Sequence, residues 1–140
     1  MAEIRDLWPD DIGVTSIVPP VSIMREQAAL LGRKTKQLLR AHVSTESQGS
    51  MIHHTFVVVA PAIDYRLELF YISHEIDLYP LRATWKNAGR DIDDEKQFID
   101  FLTEVFGSKD TKKMISSLIA QSRDEASPAP AEIKDEDIPF

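Results

Sequence analysis

Three strand-like segments lie close together in the middle of the chain and restrict the folds open to it. They cover residues 52–60, 65–73 and 79–85. The first is rich in β-branched residues, and the other two alternate between apolar and polar side chains, as strands with one buried face do. The links between them are short enough for hairpins, and Pro61 ends the first segment. The sequence therefore predicts an antiparallel meander with one buried face.

The alternation also predicts which side chains share a face of this meander. In the segment 65–73, the apolar positions expected on one face are Tyr65, Leu67, Leu69 and Tyr71. Arg66 and Arg82 fall on the opposite, polar side of their segments. Residues 43–46 can add a short fourth strand to the sheet.

Helical spacing appears before the strands, after an irregular lead-in at residues 1–20. Within the lead-in, Trp8 and Ile12 are expected to pack back onto the body. Apolar residues then recur at helical spacing over residues 23–41, directly after Ser22 as a candidate N-cap. We predict one helix there, with a basic outer face.

Two further helices are predicted after the strands. Asp93 or Asp94 can cap the first of them, and Gly107 stops it. Ser108 then caps the second helix. The predicted order is α-β-β-β-α-α, an α+β fold in which about three helices pack on a three- or four-stranded sheet. Residues 1–123 are expected to form this single domain.

Composition excludes several classes of site and environment. The chain has no cysteine, which excludes disulfides, thiolate catalysis and thiolate zinc sites. No apolar run approaches the roughly 18 residues that a membrane span needs, and the N-terminus lacks an apolar signal segment. No glycine-rich dinucleotide or phosphate motif is present, so we expect no cofactor. A cytoplasmic protein without membrane association is the resulting expectation.

The negative charge is concentrated towards the C-terminal end. The net charge is -7, of which residues 124–140 carry -5 and the preceding residues -2. A nearly neutral body is not typical of nucleic-acid-binding domains, which usually show a basic excess. The alternating Ser, Pro and Ala of residues 127–131 predict a semi-extended linker without regular structure. We therefore predict a disordered acidic tail at 124–140 that follows the domain.

The last six residues join acids to an apolar tip: Asp135, Glu136, Asp137, Ile138, Pro139 and Phe140. Pro139 restricts the backbone, so less entropy is lost on docking. Phe140 offers a large ring beside the terminal carboxylate, and the acids add attraction to a basic rim. The pattern is typical of a peptide captured by a pocket with an apolar floor and a cation at its lip.

These six residues resemble the C-terminal tip of bacterial single-stranded DNA-binding protein, in which several acids precede Ile-Pro-Phe at the chain end. The resemblance implies binding to genome-maintenance proteins with a tip-binding pocket, such as a recombination mediator, the primosomal helicase, exonuclease I and the chi subunit of the clamp loader. It does not extend to the body, because that family's OB-fold is a five-stranded barrel. A solubilising acidic end is the alternative, although exposing Ile138 and Phe140 works against solubility.

A second hypothesis is that the body binds single-stranded DNA or another single-stranded nucleic acid, with the tail recruiting enzymes or inhibiting the site. Phe70 or Trp85 would then stack on bases. The basic candidates for phosphate contacts are Arg33, Lys34, Lys36, Arg40, Arg66 and Arg82. Solvated cations and cross-strand ion pairs, such as Glu68 with Arg82, are the preferred explanation of the same residues. An open sheet face can also form a homodimer.

Histidines allow a third hypothesis, a metal site or a small hydrolase of unknown substrate. They are His42, His53, His54 and His74. His53 and His54 point to opposite faces of a strand, so only one of them can join His74. A carboxylate would have to complete the site, and the candidates are Asp64, Glu75 and Asp77. Because zinc-type histidine spacing is missing, we predict no metal site and a non-enzymatic protein.

Overall fold

The structure is a computed structural model that describes residues 4–13 and 15–126. Its helices are α1 Pro20–Lys34, α2 Glu95–Gly107 and α3 Lys109–Ala126. Its strands are β1 Arg40–Gln48, β2 Met51–Ala60, β3 Tyr65–His74, β4 Leu81–Trp85 and β5 Ala88–Ile92. A short 3-10 turn, Pro61–Ile63, joins β2 to β3. The predicted α+β class is confirmed, with the order α-β-β-β-β-β-α-α.

The five strands form one antiparallel sheet in chain order, from β1 at one edge to β5 at the other. The core lies between one face of this sheet and the three helices. Met24 of α1, Phe98 of α2 and Leu118 of α3 belong to the same buried cluster as Val58 and Ile72 of the sheet. Burying these side chains is the main source of stability.

The opposite side of the sheet is called the open face, because most of its side chains are exposed. It consists of the positions that alternate with the core residues, among them Arg40, His42, Val57, Val59, Arg66, Glu68, Tyr71, Arg82 and Asp91. Among the residues that the structure describes, no helix is both long enough and apolar enough to cross a membrane.

A β-bulge changes the alternation halfway along β3. Val57 pairs with Glu68, whereas the preceding residue of β2, Phe56, pairs with Phe70. Leu69 is therefore an extra residue in β3 with no partner opposite it. Leu69 and Phe70 both contact the core as a result.

The bulge overturns part of the predicted alternation. After Leu69, the core side of β3 is taken by Phe70 and Ile72, both buried. Tyr71, which was predicted on the same face as Leu67 and Leu69, lies on the open face and is 43% exposed. The prediction for Tyr71 is wrong because strict period-2 alternation does not survive an inserted residue.

β5 is the strand that the sequence pattern does not predict. It follows β4 through a two-residue turn in which Lys86 and Asn87 both have positive φ, 54° and 64°. That backbone matches the twist of a tight hairpin. Its burial pattern has a single buried residue, Ile92, so it lacks the alternation that indicates a strand.

α1 is shorter than predicted and begins earlier. Pro19, not Ser22, occupies the N-cap position. The helix ends at Lys34 because Lys36 and Gln37 adopt left-handed φ angles of 52° and 67°. The hydroxyl of Thr35 accepts a hydrogen bond from the Leu39 amide (3.1 Å), which fixes the turn into β1.

The lead-in and the later helices give mixed outcomes. Trp8 and Ile12 are 70% and 58% exposed, so the expectation that they pack on the body is wrong. Asp94 caps α2 by accepting from the Gln97 amide, as predicted. Ser108 caps α3 by accepting from the Thr111 amide, also as predicted. α3 continues through Ala126, so the prediction that the disordered tail begins at 124 is wrong for residues 124–126.

Candidate functional site

A groove opens between α1 and α3 on the helical side of the sheet. The cavity measures about 490 Å³, within the size range of small-ligand and peptide-side-chain pockets. Its floor is formed by Phe56 and Val58 of β2, which are part of the core. Leu31 of α1 and Ile115 of α3 form opposite walls. This site, lined by residues of α1, β2, β3, α2 and α3, is called the α1–α3 groove.

The groove exposes apolar surface that the core does not use. Its half-buried apolar side chains are Leu30, Leu31, Leu69, Phe106 and Ile115. These residues have neighbours in the core but keep one side towards solvent, so an apolar ligand would complete their burial.

Two lysines stand at the rim of the groove, one from each helix. They are Lys34, in the last turn of α1, and Lys112, in the first turns of α3, and both are exposed. None of the ion pairs found within residues 4–13 and 15–126 involves either of them. Further cations lie next to them in the sequence: Arg33, Lys36, Lys109 and Lys113. The groove therefore combines an apolar floor with a cationic rim, which suits an apolar group joined to a carboxylate.

A second cavity, of about 410 Å³, lies beside the first turn of α3. There β4 pairs only with Tyr71, Ile72 and Ser73, so the earlier part of β3 has a free edge on that side. Trp85 lines this cavity, with the Lys86 ammonium 5.2 Å from the centre of its ring. Lys86 is also ion-paired with Asp110, so its charge is largely neutralised.

The six predicted phosphate-binding cations fall in three places. Arg33, Lys34 and Lys36 lie at the end of α1, on the helical side. Arg40 and Arg66 lie on the open face, on either side of Val59. Arg82 lies farther along the open face and is ion-paired with Asp91 at 2.8 Å.

The predicted stacking surface is only partly available. Phe70 is buried in the core, so the expectation that it stacks on bases is wrong. Trp85 is half-buried and packs against the core. Tyr71 lies on the open face and is exposed, close to Arg82, whose partner Ser73 is two residues further along β3. Arg66 pairs with Val59, four residues along β2 from the partner of Tyr71, Thr55.

Two histidines meet on the core side of the sheet, and only one of the adjacent pair His53 and His54 reaches His74, as predicted. His54 of β2 and His74 of β3 are 5% and 4% exposed, and their Nε2 atoms are 3.1 Å apart. The Nδ1 atom of His54 lies 2.9 Å from the hydroxyl of Thr45 on β1. The Nδ1 atom of His74 lies 2.5 Å from the carbonyl oxygen of Glu75.

These contacts fix where the protons lie when both rings are neutral. The Glu75 carbonyl only accepts, so Nδ1 of His74 carries a proton and its Nε2 is an acceptor. His54 must then donate from Nε2, and its Nδ1 accepts from the Thr45 hydroxyl. Every ring nitrogen has a partner, which is the arrangement expected of a buried polar network.

The environment keeps His54 neutral at physiological pH. Burial, and then the positive charge that His74 can carry, lower the pKa of His54 from 6.5 to about 4. Since both nitrogens of both rings are engaged, neither ring presents a lone pair to a metal or a substrate in this arrangement.

The carboxylates proposed as partners of His74 lie apart from it. Glu75, Asp77 and Asp64 are exposed, while His74 is buried. His53 projects from the other face of β2, and His42 is on the open face of β1. Within the described residues, no group of three or more His, Cys, Asp or Glu side chains is placed to hold a metal ion.

Sequence reasoning missed the groove altogether. Lys112, Ile115 and Leu30 fall within the predicted helices, and nothing in the sequence indicates that they share a site. The sequence holds one weak signal. Leu30 lies beside the buried face of α1, so the apolar stripe of this helix is wider than packing against one sheet requires. The gap between two helices depends on their packing angle and cannot be seen from either helix alone.

The predicted partner-binding residues, 135–140, lie outside the described residues. Comparison of the chain with protein-family models, with curated proteins and with solved structures finds no match.

Proposed function

We propose that this is a non-enzymatic interaction protein whose segment 135–140 docks on DNA replication, recombination and repair proteins. The partners would be those that recognise the tip of single-stranded DNA-binding protein. The observation that supports this is the order of residues in the segment, three acids followed by Ile138, Pro139 and Phe140. A solubilising segment needs the acids but not the apolar residues.

The chemistry of the segment defines the pocket it would enter. Phe140 supplies most of the apolar area, and Pro139 reduces the entropy lost when the peptide is ordered. The three acids attract a basic rim and raise the association rate. Because the contact is small, an affinity on the order of micromolar is expected.

The test is fluorescence polarisation with a labelled peptide of residues 127–140 and purified proteins that have a tip-binding pocket. The unlabelled full chain should compete with the peptide, whereas a Phe140→Ala chain should lose competition by at least tenfold. Ile133→Ala is the matched control, since it removes an apolar side chain just before the acids. Equal competition by the Phe140→Ala chain overturns the proposal.

A second candidate function, binding of single-stranded nucleic acid, is favoured by one feature of the open face. Arg40 and Arg66 flank Val59 in a row across three strands. Cations on an exposed sheet suit a phosphate backbone, and Tyr71, farther along the same face, offers a surface for a stacked base. Binding of a labelled oligonucleotide should weaken with salt and with Arg40→Ala plus Arg66→Ala. Arg82→Ala, which removes a cation already paired with Asp91, is the control, and no binding at low salt rejects this function.

A further inference from the structure

The α1–α3 groove and the segment 135–140 have complementary chemistry. The groove has half-buried apolar walls and two rim lysines, Lys34 and Lys112. The segment has three acids followed by Ile138, Pro139 and Phe140. Apolar residues next to carboxylates are the ligand that an apolar floor with a cationic rim binds.

The distribution of charge along the chain is complementary as well. Residues 124–140 carry -5, while the rest of the chain carries only -2. The end of the molecule around the groove is nonetheless basic. The last turn of α1, the link that follows it and the first turns of α3 hold Arg33, Lys34, Lys36, Lys109, Lys112 and Lys113. The one acid among them, Asp110, is already paired with Lys86. An acidic segment is therefore attracted to this end of its own body.

The chain is long enough to bring the two together. α3 ends at Ala126, and Lys112 lies about 21 Å back along the same helix at a rise of about 1.5 Å per residue. Residues 127–134 can span about 26 Å when extended. The chain can therefore run back along α3 and place residues 135–140 over the groove.

The lead-in also carries exposed apolar side chains in its described residues. Its Trp8 and Ile12 are exposed and do not line the groove. Residues 135–140, in contrast, fit the groove both in chemistry and in reach.

We propose that the α1–α3 groove binds the segment 135–140 of its own chain. Ile138 and Phe140 would lie between Leu31 and Ile115, with the acids near Lys34 and Lys112. This inference rests on the proposed function, because it treats the same segment as a docking peptide. The body then competes with outside partners for its own tail.

The tether determines how strongly the groove competes with a partner for residues 135–140. A short linker gives an effective concentration of about 1 mM. For a contact as small as this one, we take a dissociation constant of about 0.1 mM. The segment would then occupy the groove in most molecules, because the effective concentration exceeds the dissociation constant about tenfold. A partner would bind the full chain about tenfold more weakly than the free peptide.

The absence of cysteine allows a direct test on the full chain. A spin label on Ala131→Cys should broaden the amide resonances of Leu31 and Ile115. It should leave those of Ile76, in the β3–β4 link, unchanged. Mixing spin-labelled chains with unlabelled isotope-enriched chains separates the two geometries, and broadening that appears only in the mixture overturns binding within one chain.

Charge reversal at the rim gives the decisive comparison. Lys34→Glu with Lys112→Glu should abolish the broadening, whereas Lys96→Glu on the exposed side of α2 should not. Broadening that survives the double change, or that comes instead from a label on Thr15→Cys in the lead-in, overturns the proposal.

Partner affinity separates this inference from the proposed function. With Lys34→Glu and Lys112→Glu, a partner should bind the full chain about tenfold more tightly, approaching the free peptide. Broadening without any partner binding would uphold the groove and reject the proposed function. If the full chain binds a partner as tightly as the free peptide does, and no broadening is seen, the proposed function stands and binding in the groove is rejected.

Discussion

The buried histidine pair and the α1–α3 groove differ in whether their polar groups already have hydrogen-bond or ion-pair partners. His54 and His74 satisfy each other and their neighbours, so each ring nitrogen has a hydrogen-bond partner. Lys34 and Lys112 lie at the rim of an apolar cavity and form no ion pair within the part of the chain that the structure describes. The first arrangement stabilises the fold, and the second is available to a ligand. In this molecule, the residues that attract attention in the sequence, the histidines, are the less available ones.

The largest expected difference between the regions is in apolar packing. Leu39→Ala removes a fully buried side chain from the core and should cost about 2–5 kcal/mol of unfolding free energy. Leu30→Ala makes the same change in the half-buried wall of the groove and should cost less than about 1 kcal/mol. Urea denaturation of both variants measures this. An equal loss of unfolding free energy in the two variants would mean that Leu30 supports the fold as the core residues do.

Acidification should weaken the histidine region specifically. The folded state holds the pKa of His54 at about 4, below its ordinary value of 6.5. The unfolded chain therefore binds the proton more readily between these pH values, and stability falls as pH drops from about 6.5 to 4. The loss is up to roughly 3 kcal/mol, and it is absent above that window.

Denaturant unfolding at pH 7 and pH 4.5 measures this dependence. His54→Gln should flatten it, because the titrating group is gone, whereas His42→Gln on the open face should leave it unchanged. If both variants keep the slope of the natural chain, acid sensitivity arises from other groups.

A smaller effect should follow from removing the end of the hydrogen-bond chain. Thr45→Val leaves Nδ1 of His54 without its donor and should cost about 1 kcal/mol. Thr55→Val, on the open side of β2, makes the same change where no hydrogen bond of this kind is present, and should cost almost nothing. Equal costs in thermal unfolding would show that the Thr45 hydroxyl contributes little.

The smallest effect on stability is expected at the groove rim. Lys34→Glu with Lys112→Glu alters two exposed side chains and should change the unfolding free energy by no more than about 0.5 kcal/mol. A larger loss in the same denaturation experiment would mean that these lysines support the fold, and their availability for a ligand would be in doubt.

Local features of this fold were predictable and those set by chain pairing were not. The caps at Asp94 and Ser108 depend on residues three positions apart, so the sequence contains the whole signal. That only one of His53 and His54 can face His74 follows from alternation along β2, although the bulge in β3 decides that it is His54. In contrast, the outward position of Tyr71 depends on how β3 pairs with β2, which no single segment specifies.

The same distinction explains the candidate site. The chemistry of residues 135–140 can be read from consecutive letters. The α1–α3 groove joins Leu31 to Ile115, far apart in the chain, through a gap left by two helices on one sheet. β5 was missed for a third reason, because only Ile92 of its residues is buried.

The extra residue at Leu69 makes β3 tolerant of a deletion at that one position. Deleting Leu69 would place Glu68 next to Phe70, and their partners Val57 and Phe56 are already adjacent in β2. The strand would then pair without a bulge, with Tyr71 still on the open face and His74 still beside His54. Leu69 is therefore dispensable for the histidine network, and what the bulge adds is one more apolar side chain for the α1–α3 groove.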